Sequence, residues 1–157
     1  GPQAGIVAGK TALLDRIRKH PLARAFRIDK LSLAALAATL RLTLDRDRQT
    51  RIPLVRMARE PLASVKARAE RLCSAIGAGE VVPHSAAFGG GSVPGQSLPS
   101  FAVRVSTKSP DAVAAALRGG TPPVIVRVGD GALWLDTRTI ADGEVGVAGE
   151  AVRKALS

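Results

Sequence analysis

The sequence feature that most constrains the fold is a hairpin pattern in the last third of the chain. Residues 124–128 and 132–136 form two mainly apolar runs that flank Gly129-Asp130-Gly131. A short Gly/Asp connection between two such runs is typical of a tight turn joining antiparallel strands. The fold therefore has to contain an antiparallel sheet, and the other elements have to pack against it.

The surrounding sequence predicts an α+β domain over residues 60–157. Residues 81–88 predict a strand, and Phe101, Val103 and Val105 alternate with other residues as in a half-buried strand. Residues 89–99 are expected to be a loop. Predicted helices over residues 61–76, 111–118 and 144–156 complete the order helix, strand, strand, helix, strand, strand, helix. We expect the helices to cover one face of the sheet.

The inner face of the first of these helices is predicted from its apolar spacing. Pro61 suits the first turn, and Gly77 and Gly79 are expected to end the helix. Gly146 and Gly149 are expected to weaken the last helix. The residues predicted to face the core are Leu62, Val65, Ala69, Leu72 and Ile76.

Residues 1–59 have a different pattern, which is mainly helical. Residues 4–8 are apolar and predict a short buried strand, and residues 10–19 predict a helix that Pro21 interrupts. The strongest helix is predicted over residues 31–44, with a stripe of leucines and with Asp29 or Ser32 as its cap. Residues 45–59 are charged and lack a period, so we place a connector and the domain boundary there.

Composition limits the classes of partner. The 157 residues carry a formal charge of +10, which favours polyanions, although genome composition alone is an alternative explanation. With no Tyr, three Phe and one Trp, aromatic platforms for base stacking are not expected, so phosphate contacts are the expected form of any RNA binding. No apolar run is long enough for a membrane helix, and the single Cys73 fits a reducing compartment. A cytoplasmic location is expected.

Isolated motifs add little. Gly89-Gly90-Gly91-Ser92 lacks the Gly-Lys-Ser/Thr ending of a phosphate-binding loop, so a flexible turn is favoured over an anion site. His20 and His84 lie far apart and without an accompanying carboxylate or cysteine pattern. No metal site and no Ser-His-Asp arrangement are expected.

Three segments together resemble the bacterial selenocysteine synthase family, the L-seryl-tRNA(Sec) selenium transferases. The first is Gly-Pro-Gln-Ala-Gly-Ile-Val-Ala-Gly-Lys at residues 1–10. The second is His-Pro-Leu-Ala-Arg-Ala-Phe-Arg-Ile-Asp-Lys-Leu at residues 20–31, followed by the apolar helix. The third is Gly-Gly-Gly-Ser-Val-Pro at residues 89–94, followed by Leu-Pro-Ser at residues 98–100.

The resemblance implies a pyridoxal-phosphate (PLP) enzyme of fold type I. Residues 1–59 would be the end of the large PLP-binding domain with a long linking helix, and residues 60–157 the small C-terminal α+β domain. The lysine that holds PLP would precede Gly1, so this stretch alone is expected to have no catalytic residue, no bound PLP and no activity. Gly1 and Gln3 would lie near the PLP phosphate of a neighbouring subunit.

The resemblance also implies a reaction and its partners. The intact enzyme would convert seryl-tRNA(Sec) to selenocysteinyl-tRNA(Sec) with selenophosphate as selenium donor, and would assemble as a ring of dimers. Arg24 and Arg27 would bind the donor, because guanidinium groups bind oxyanions in a bidentate manner. At positions i and i+3 the two are expected to share a helical face. Asp29 would orient an arginine, and Lys30 would contact phosphate.

Three alternatives stay open from the residues alone. The first is that Arg24 and Arg27 form only a solvated basic face. The second is that the chain belongs to a related fold-type-I lyase acting on a small amino acid or amino sugar. The third is that the chain is a basic RNA-binding module. The lyase would use its basic residues on a substrate phosphate or carboxylate. The RNA-binding module would bind tRNA tightly and in a salt-dependent manner.

Overall fold

A computed structural model describes residues 2, 4–88 and 95–157. The chain divides into two compact units, Gly1–Arg56 and Met57–Ser157. The division falls inside the predicted connector, three residues before the predicted boundary at residues 59 and 60. In the part of the chain that the structure describes, no helix is long and apolar enough to cross a membrane.

The first unit is helical. It contains α1 (Thr11–Lys19), a 3-10 turn (Pro21–Arg24), α2 (Lys30–Leu44), a second 3-10 turn (Gln49–Arg51) and the start of α3 (Pro53–Arg59). The helices predicted over residues 10–19 and 31–44 are confirmed to within one residue. The connector predicted over residues 45–59 contains a helix that was not predicted, α3, and Pro53 is compatible with its first turn.

The strand predicted over residues 4–8 is absent. This segment has no strand partner in the described residues, and Ile6 and Val7 are each 68% exposed. A short apolar run shows that a segment avoids water but not which surface covers it. The local sequence therefore could not distinguish a sheet strand from an apolar segment without a partner in this unit.

The second unit is the predicted α+β domain. It contains α4 (Leu62–Ile76), β1 (Glu80–Ala87), β2 (Ser97–Ser106), α5 (Pro110–Arg118), β3 (Arg127–Gly129), β4 (Ala132–Asp136) and α6 (Val145–Leu156). The predicted order of helices and strands is confirmed. The four strands form one antiparallel sheet in the order β1-β2-β4-β3.

Two strand limits differ from the prediction. Residues 97–99, predicted as loop, extend β2 and pair with residues 85–87 of β1. Residues 124–126, predicted as strand, precede β3 because the Val124 N–H donates to the Leu117 carbonyl at 2.9 Å and ties this segment to the end of α5. The Gly89–Ser92 motif lies outside the described residues.

The hairpin prediction is confirmed in its geometry. Asp130 has φ 51° and Gly131 has φ 66°, so two successive residues occupy the left-handed region. A two-residue turn of this kind matches the right-handed twist of the flanking strands, and Asp-Gly is among the pairs that adopt it at low cost. The turn fixes the register in which Gly129 faces Ala132.

The core lies between the sheet and the three helices α4, α5 and α6, which confirms that the helices pack on one face. Leu62, predicted to face inwards, is 42% exposed, because Pro61 occupies the N-cap position and Leu62 becomes the first residue of α4. Gly77 ends α4 in the left-handed conformation with φ 76°, as predicted. The main core side chains are Val65, Ala69, Leu72, Ile76, Val103, Val105, Val113, Leu117, Leu133, Leu135, Val145 and Val152.

Gly149 has a packing role that the sequence did not indicate. A Cβ atom added at Gly149 would lie 2.5 Å from the Ala75 Cβ, closer than atoms can approach. The missing side chain therefore allows α6 to lie directly against α4. The helix tolerates the unfavourable propensity of glycine because the close contact compensates for it.

A charged group is buried at the edge of this core. Arg68, on α4, is 5% exposed; its Nη1 donates to Glu60 at 2.9 Å and its Nε to Asp142 at 3.0 Å. The hydrogen bond to Glu60 raises the pKa of Arg68 above its ordinary value. The hydrogen bond from Arg68 lowers the pKa of Asp142. The pairing links the segment before α4 to the segment before α6.

Arg138 is buried, and its guanidinium has no carboxylate partner among the described residues. Its guanidinium donates to the carbonyl oxygens of Met57 at 2.8 Å and Glu60 at 3.1 Å, and also to that of Pro99. The residue is 5% exposed, and its Nε has no hydrogen-bond partner among the described residues. Arg138 thus holds the end of α3 and the start of β2 through backbone contacts.

Candidate functional site

The segment predicted to bind the selenium donor connects α1 to α2 in the first unit. His20 precedes the 3-10 turn, and its Nδ1 accepts a hydrogen bond from the Leu22 N–H at 3.2 Å. Pro21 restricts the backbone at the start of the turn and Arg24 ends it. Arg27 follows in irregular backbone, three residues before Lys30, where α2 begins.

Arg24 and Arg27 do not share a helical face, so this part of the prediction is wrong. The turn ends at Arg24, and α2 cannot start before its cap at Asp29. The backbone nevertheless keeps the two arginines close in the chain, because the Arg27 N–H donates to the Arg24 carbonyl at 3.4 Å. One non-helical turn separates them.

Both arginines are exposed, and in the described part of the chain neither forms an ion pair. Residues 10–30 contain seven Lys and Arg and only two acidic residues, Asp15 and Asp29. Asp15 lies 3.6 Å from Arg18. The segment therefore presents a positive surface on which Arg24 and Arg27 are available to an anion.

Asp29 caps α2, which is one of the two roles expected for it. Its Oδ1 accepts hydrogen bonds from the Leu31 and Ser32 N–H groups, each at 2.9 Å, and its Oδ2 accepts from the Ser32 hydroxyl at 2.6 Å. The hydrogen bonds from Ser32 lower the pKa of Asp29. Both carboxylate oxygens therefore serve the start of α2, and neither is shown orienting an arginine. Lys30 is exposed at the first position of α2.

A groove beside this segment was not anticipated. It has a volume of about 850 Å³ and is lined mostly by apolar residues, among them Leu13, Ile17 and Phe26, together with Arg16 and His20. Arg24 and Arg27 are not among its lining residues. The helical spacing of Leu13 and Ile17 predicted α1, but it gave no sign of an open groove.

The structure does not place the two residues expected near PLP. Gly1 and Gln3 lie outside the described residues. Of the four residues predicted to bind the donor or the cofactor, the structure therefore describes Arg24 and Arg27.

Comparison with known proteins identifies the family. The family model for L-seryl-tRNA selenium transferase (SelA) matches residues 1–141. The L-seryl-tRNA(Sec) selenium transferase of Hyphomonas neptunium is 44% identical over 98% of this chain, and that of Carboxydothermus hydrogenoformans is 37% identical over 92%. The enzyme of Rhizobium meliloti is 40% identical over 90%.

The match covers almost the whole chain but only part of each relative. The chain spans about a third of the length of these proteins: 35%, 33% and 33% in the same order. The resemblance seen in residues 1–10, 20–31 and 89–94 is therefore confirmed at the level of the family. This chain belongs to the L-seryl-tRNA selenium transferase family.

Proposed function

We propose that the chain is the C-terminal part of an enzyme that converts seryl-tRNA(Sec) to selenocysteinyl-tRNA(Sec) with selenophosphate as the selenium donor. The observation that carries the proposal is the family match over residues 1–141, supported by relatives at 37–44% identity. In this proposal the first unit is the end of a fold-type-I PLP domain, and the intact protein is a cytoplasmic ring of dimers.

In this proposal the residues of this chain do not form the cofactor site by themselves. All six lysines, at positions 10, 19, 30, 66, 108 and 154, are exposed, unlike a lysine that holds PLP inside a closed site. The proposal therefore assigns that lysine to a part of the protein outside these residues. When bound, PLP supplies an electron sink for the reacting amino acid. Gly1 and Gln3 are proposed to approach its phosphate.

Arg24 and Arg27 are proposed to bind selenophosphate. Their exposure and their lack of acidic partners in the described residues support this role, because a guanidinium already paired with a carboxylate binds a second anion weakly. The two arginines would position the donor and neutralise its charge while selenium replaces the seryl hydroxyl group.

The test is steady-state selenium transfer by the full-length protein, with selenophosphate varied and seryl-tRNA(Sec) saturating. Arg24→Ala or Arg27→Ala removes charge-assisted hydrogen bonds, so kcat/KM for the donor should fall on the order of tenfold to a hundredfold. Lys at either position should restore activity only in part, because an ammonium group lacks the planar fork.

Arg41→Ala is the matched control, because Arg41 is an exposed arginine on α2 outside the proposed site. It should leave the donor kinetics unchanged, and affinity for tRNA should change little in all variants. Unchanged donor kinetics in a folded Arg24→Ala, Arg27→Ala double variant would return both residues to a solvated basic face. Absence of selenium transfer by the unaltered full-length protein would refute the proposed function itself.

A further inference from the structure

The sheet of the second unit has a face opposite to the helices, and charged and aromatic side chains meet there. Trp134, in β4, has Arg104 of β2 as its cross-strand partner on one side and Arg127 of β3 on the other. The two guanidinium carbons lie 5.9 Å and 5.3 Å from the centre of the Trp134 ring. The ring of His84, in β1, lies 5.8 Å from it at an angle of 33°. We call these four residues the sheet-face cluster.

The alternation of the strands explains why these residues share a face. In β2 and β4 the core side chains Val103, Val105, Leu133 and Leu135 point towards the helices, so Arg104 and Trp134 between them point the other way. The Trp134 indole N–H donates to the Gly129 carbonyl at 3.0 Å, which fixes the ring on the sheet. The cluster is therefore held on rigid strands and not on a loop.

Two carboxylates near the cluster, those of Glu80 and Asp136, each have partners within the chain. Glu80 lies 2.9 Å from the guanidinium of Arg104. The Asp136 Oδ1 accepts hydrogen bonds from the Ser100 hydroxyl at 2.6 Å and from the Arg138 N–H at 3.0 Å. Arg127 is exposed and has no carboxylate partner among the described residues. Among the described residues of this face, Arg127 is thus a cation that is available to an external anion.

A shallow groove of about 250 Å³ runs beside the cluster and is lined by His84, Arg127, Trp134 and Asp136 together with residues 85–87. This volume lies below the range of roughly 300–1,000 Å³ typical of small-molecule pockets. A groove of this size on an open sheet suits one unit of an extended ligand that continues across the surface.

We propose that the sheet-face cluster binds single-stranded RNA, with a base against the Trp134 and His84 rings and a phosphate on Arg127. Aromatic rings on an open sheet, with cations beside them, are the arrangement that binds unpaired bases and their backbone. The formal charge of +10 favours the same class of partner. The inference rests on the proposed function in one respect: the RNA would be an unpaired stretch of the tRNA substrate.

The chain contains one Trp and no Tyr, so Trp134 dominates its intrinsic fluorescence. The 157-residue chain is titrated with a short unpaired RNA oligonucleotide, a double-helical RNA of the same length, and polyglutamate. We expect saturable quenching of Trp134 by the unpaired RNA, and weaker quenching by the other two ligands.

Two variants locate the contact. Arg127→Gln should weaken binding of fluorescently labelled RNA by about tenfold. It should also reduce the magnitude of the slope of log K against log salt by about 0.7, the value for one phosphate on a single strand. Arg118→Gln, which removes an exposed cation from α5, is the matched control and should change affinity less than about twofold. Trp134→Leu should weaken binding at least about fivefold, and Trp134→Phe should retain most of it.

Equal effects of Arg127→Gln and Arg118→Gln, or RNA binding that leaves Trp134 fluorescence unchanged, would overturn the inference. Stronger quenching by polyglutamate than by RNA would assign the face to an acidic protein. If Trp134 fluorescence changes with protein concentration in the absence of RNA, and sedimentation shows dimers, the face binds a second copy of the chain. The polyglutamate and the dimer outcomes each contradict RNA binding.

If selenium transfer proceeds but Arg127→Gln binds RNA normally, only this inference fails. If RNA quenches Trp134 but no selenium is transferred, only the proposed function fails.

Discussion

The two units of the chain bury their apolar side chains to different degrees. In the second unit Leu72, Val103 and Leu133 are 0% exposed, whereas in the first unit Leu40 is 45% exposed and Phe26 is 83% exposed. Both units have amphipathic sequence patterns, but among the described residues only the second unit supplies a sheet that covers its helices. The comparison shows that an apolar stripe predicts a contact without predicting which part of the protein provides it.

The largest expected effect comes from truncating a core leucine of the second unit. Leu72→Ala should lower the free energy of unfolding of the second unit by about 2–5 kcal/mol, because it leaves a cavity in the core. Leu40→Ala, its matched counterpart on α2, should change that value by less than about 0.5 kcal/mol. Urea unfolding followed by Trp134 fluorescence measures the second unit. Equal shifts for the two variants would mean that the units share one core.

A smaller effect is expected at the buried charge pair. Arg68→Met should destabilise the second unit by about 3 kcal/mol, since it leaves Glu60 without its partner at a site where the side chain is only 19% exposed. Lys66→Met is the control on the same helix, because Lys66 lies 3.9 Å from Glu70 in an exposed pair. That change should cost less than about 1 kcal/mol. The same urea titration compares them.

The Arg68 variant also has a defined pH dependence. The pKa of Asp142 is lowered in the folded chain, so its stabilising contribution is complete above its usual value of 3.8 and is lost as pH falls through the lowered value. The difference in stability between the unaltered chain and Arg68→Met should therefore narrow below about pH 4. A difference that stays constant down to pH 2 would show that Asp142 does not contribute.

The smallest expected effect concerns the cap of α2. Asp29→Ala removes the acceptor for the Leu31 and Ser32 N–H groups, so amide hydrogen exchange should accelerate in residues 30–44. Asp29→Asn keeps an acceptor oxygen and should retain most of the protection. Hydrogen exchange measured by mass spectrometry tests both. If Asp29→Ala leaves exchange in α2 unchanged, the helix is held by contacts other than this cap.

Local signals predicted the elements whose determinants lie close in sequence. The Asp130-Gly131 turn, the Asp29 cap and the Gly77 end of α4 each depend on a few neighbouring residues, and each is found where it was expected. Arg68 was missed because its partners, Glu60 and Asp142, are 8 and 74 positions away. No local pattern marks a buried arginine on an otherwise apolar helix face.

The sequence likewise predicted one part of the candidate site and missed another. The family resemblance selected Arg24 and Arg27, but periodicity placed them on one helix face because it could not foresee that the 3-10 turn ends at Arg24. Composition indicated too few aromatic residues for base stacking, yet a count cannot say where the single Trp lies. The position of Trp134 between two arginines depends on strand pairing across β2, β3 and β4.

The contact between Gly149 and Ala75 limits which sequences can adopt this fold. An added Cβ at position 149 would also lie 3.1 Å from the carbonyl carbon of Ala75, so glycine at position 75 would relieve the side-chain clash but not the backbone contact. The close approach of α6 to α4 therefore requires glycine at position 149 itself. A library randomised at both positions should return glycine at position 149 together with small residues at position 75.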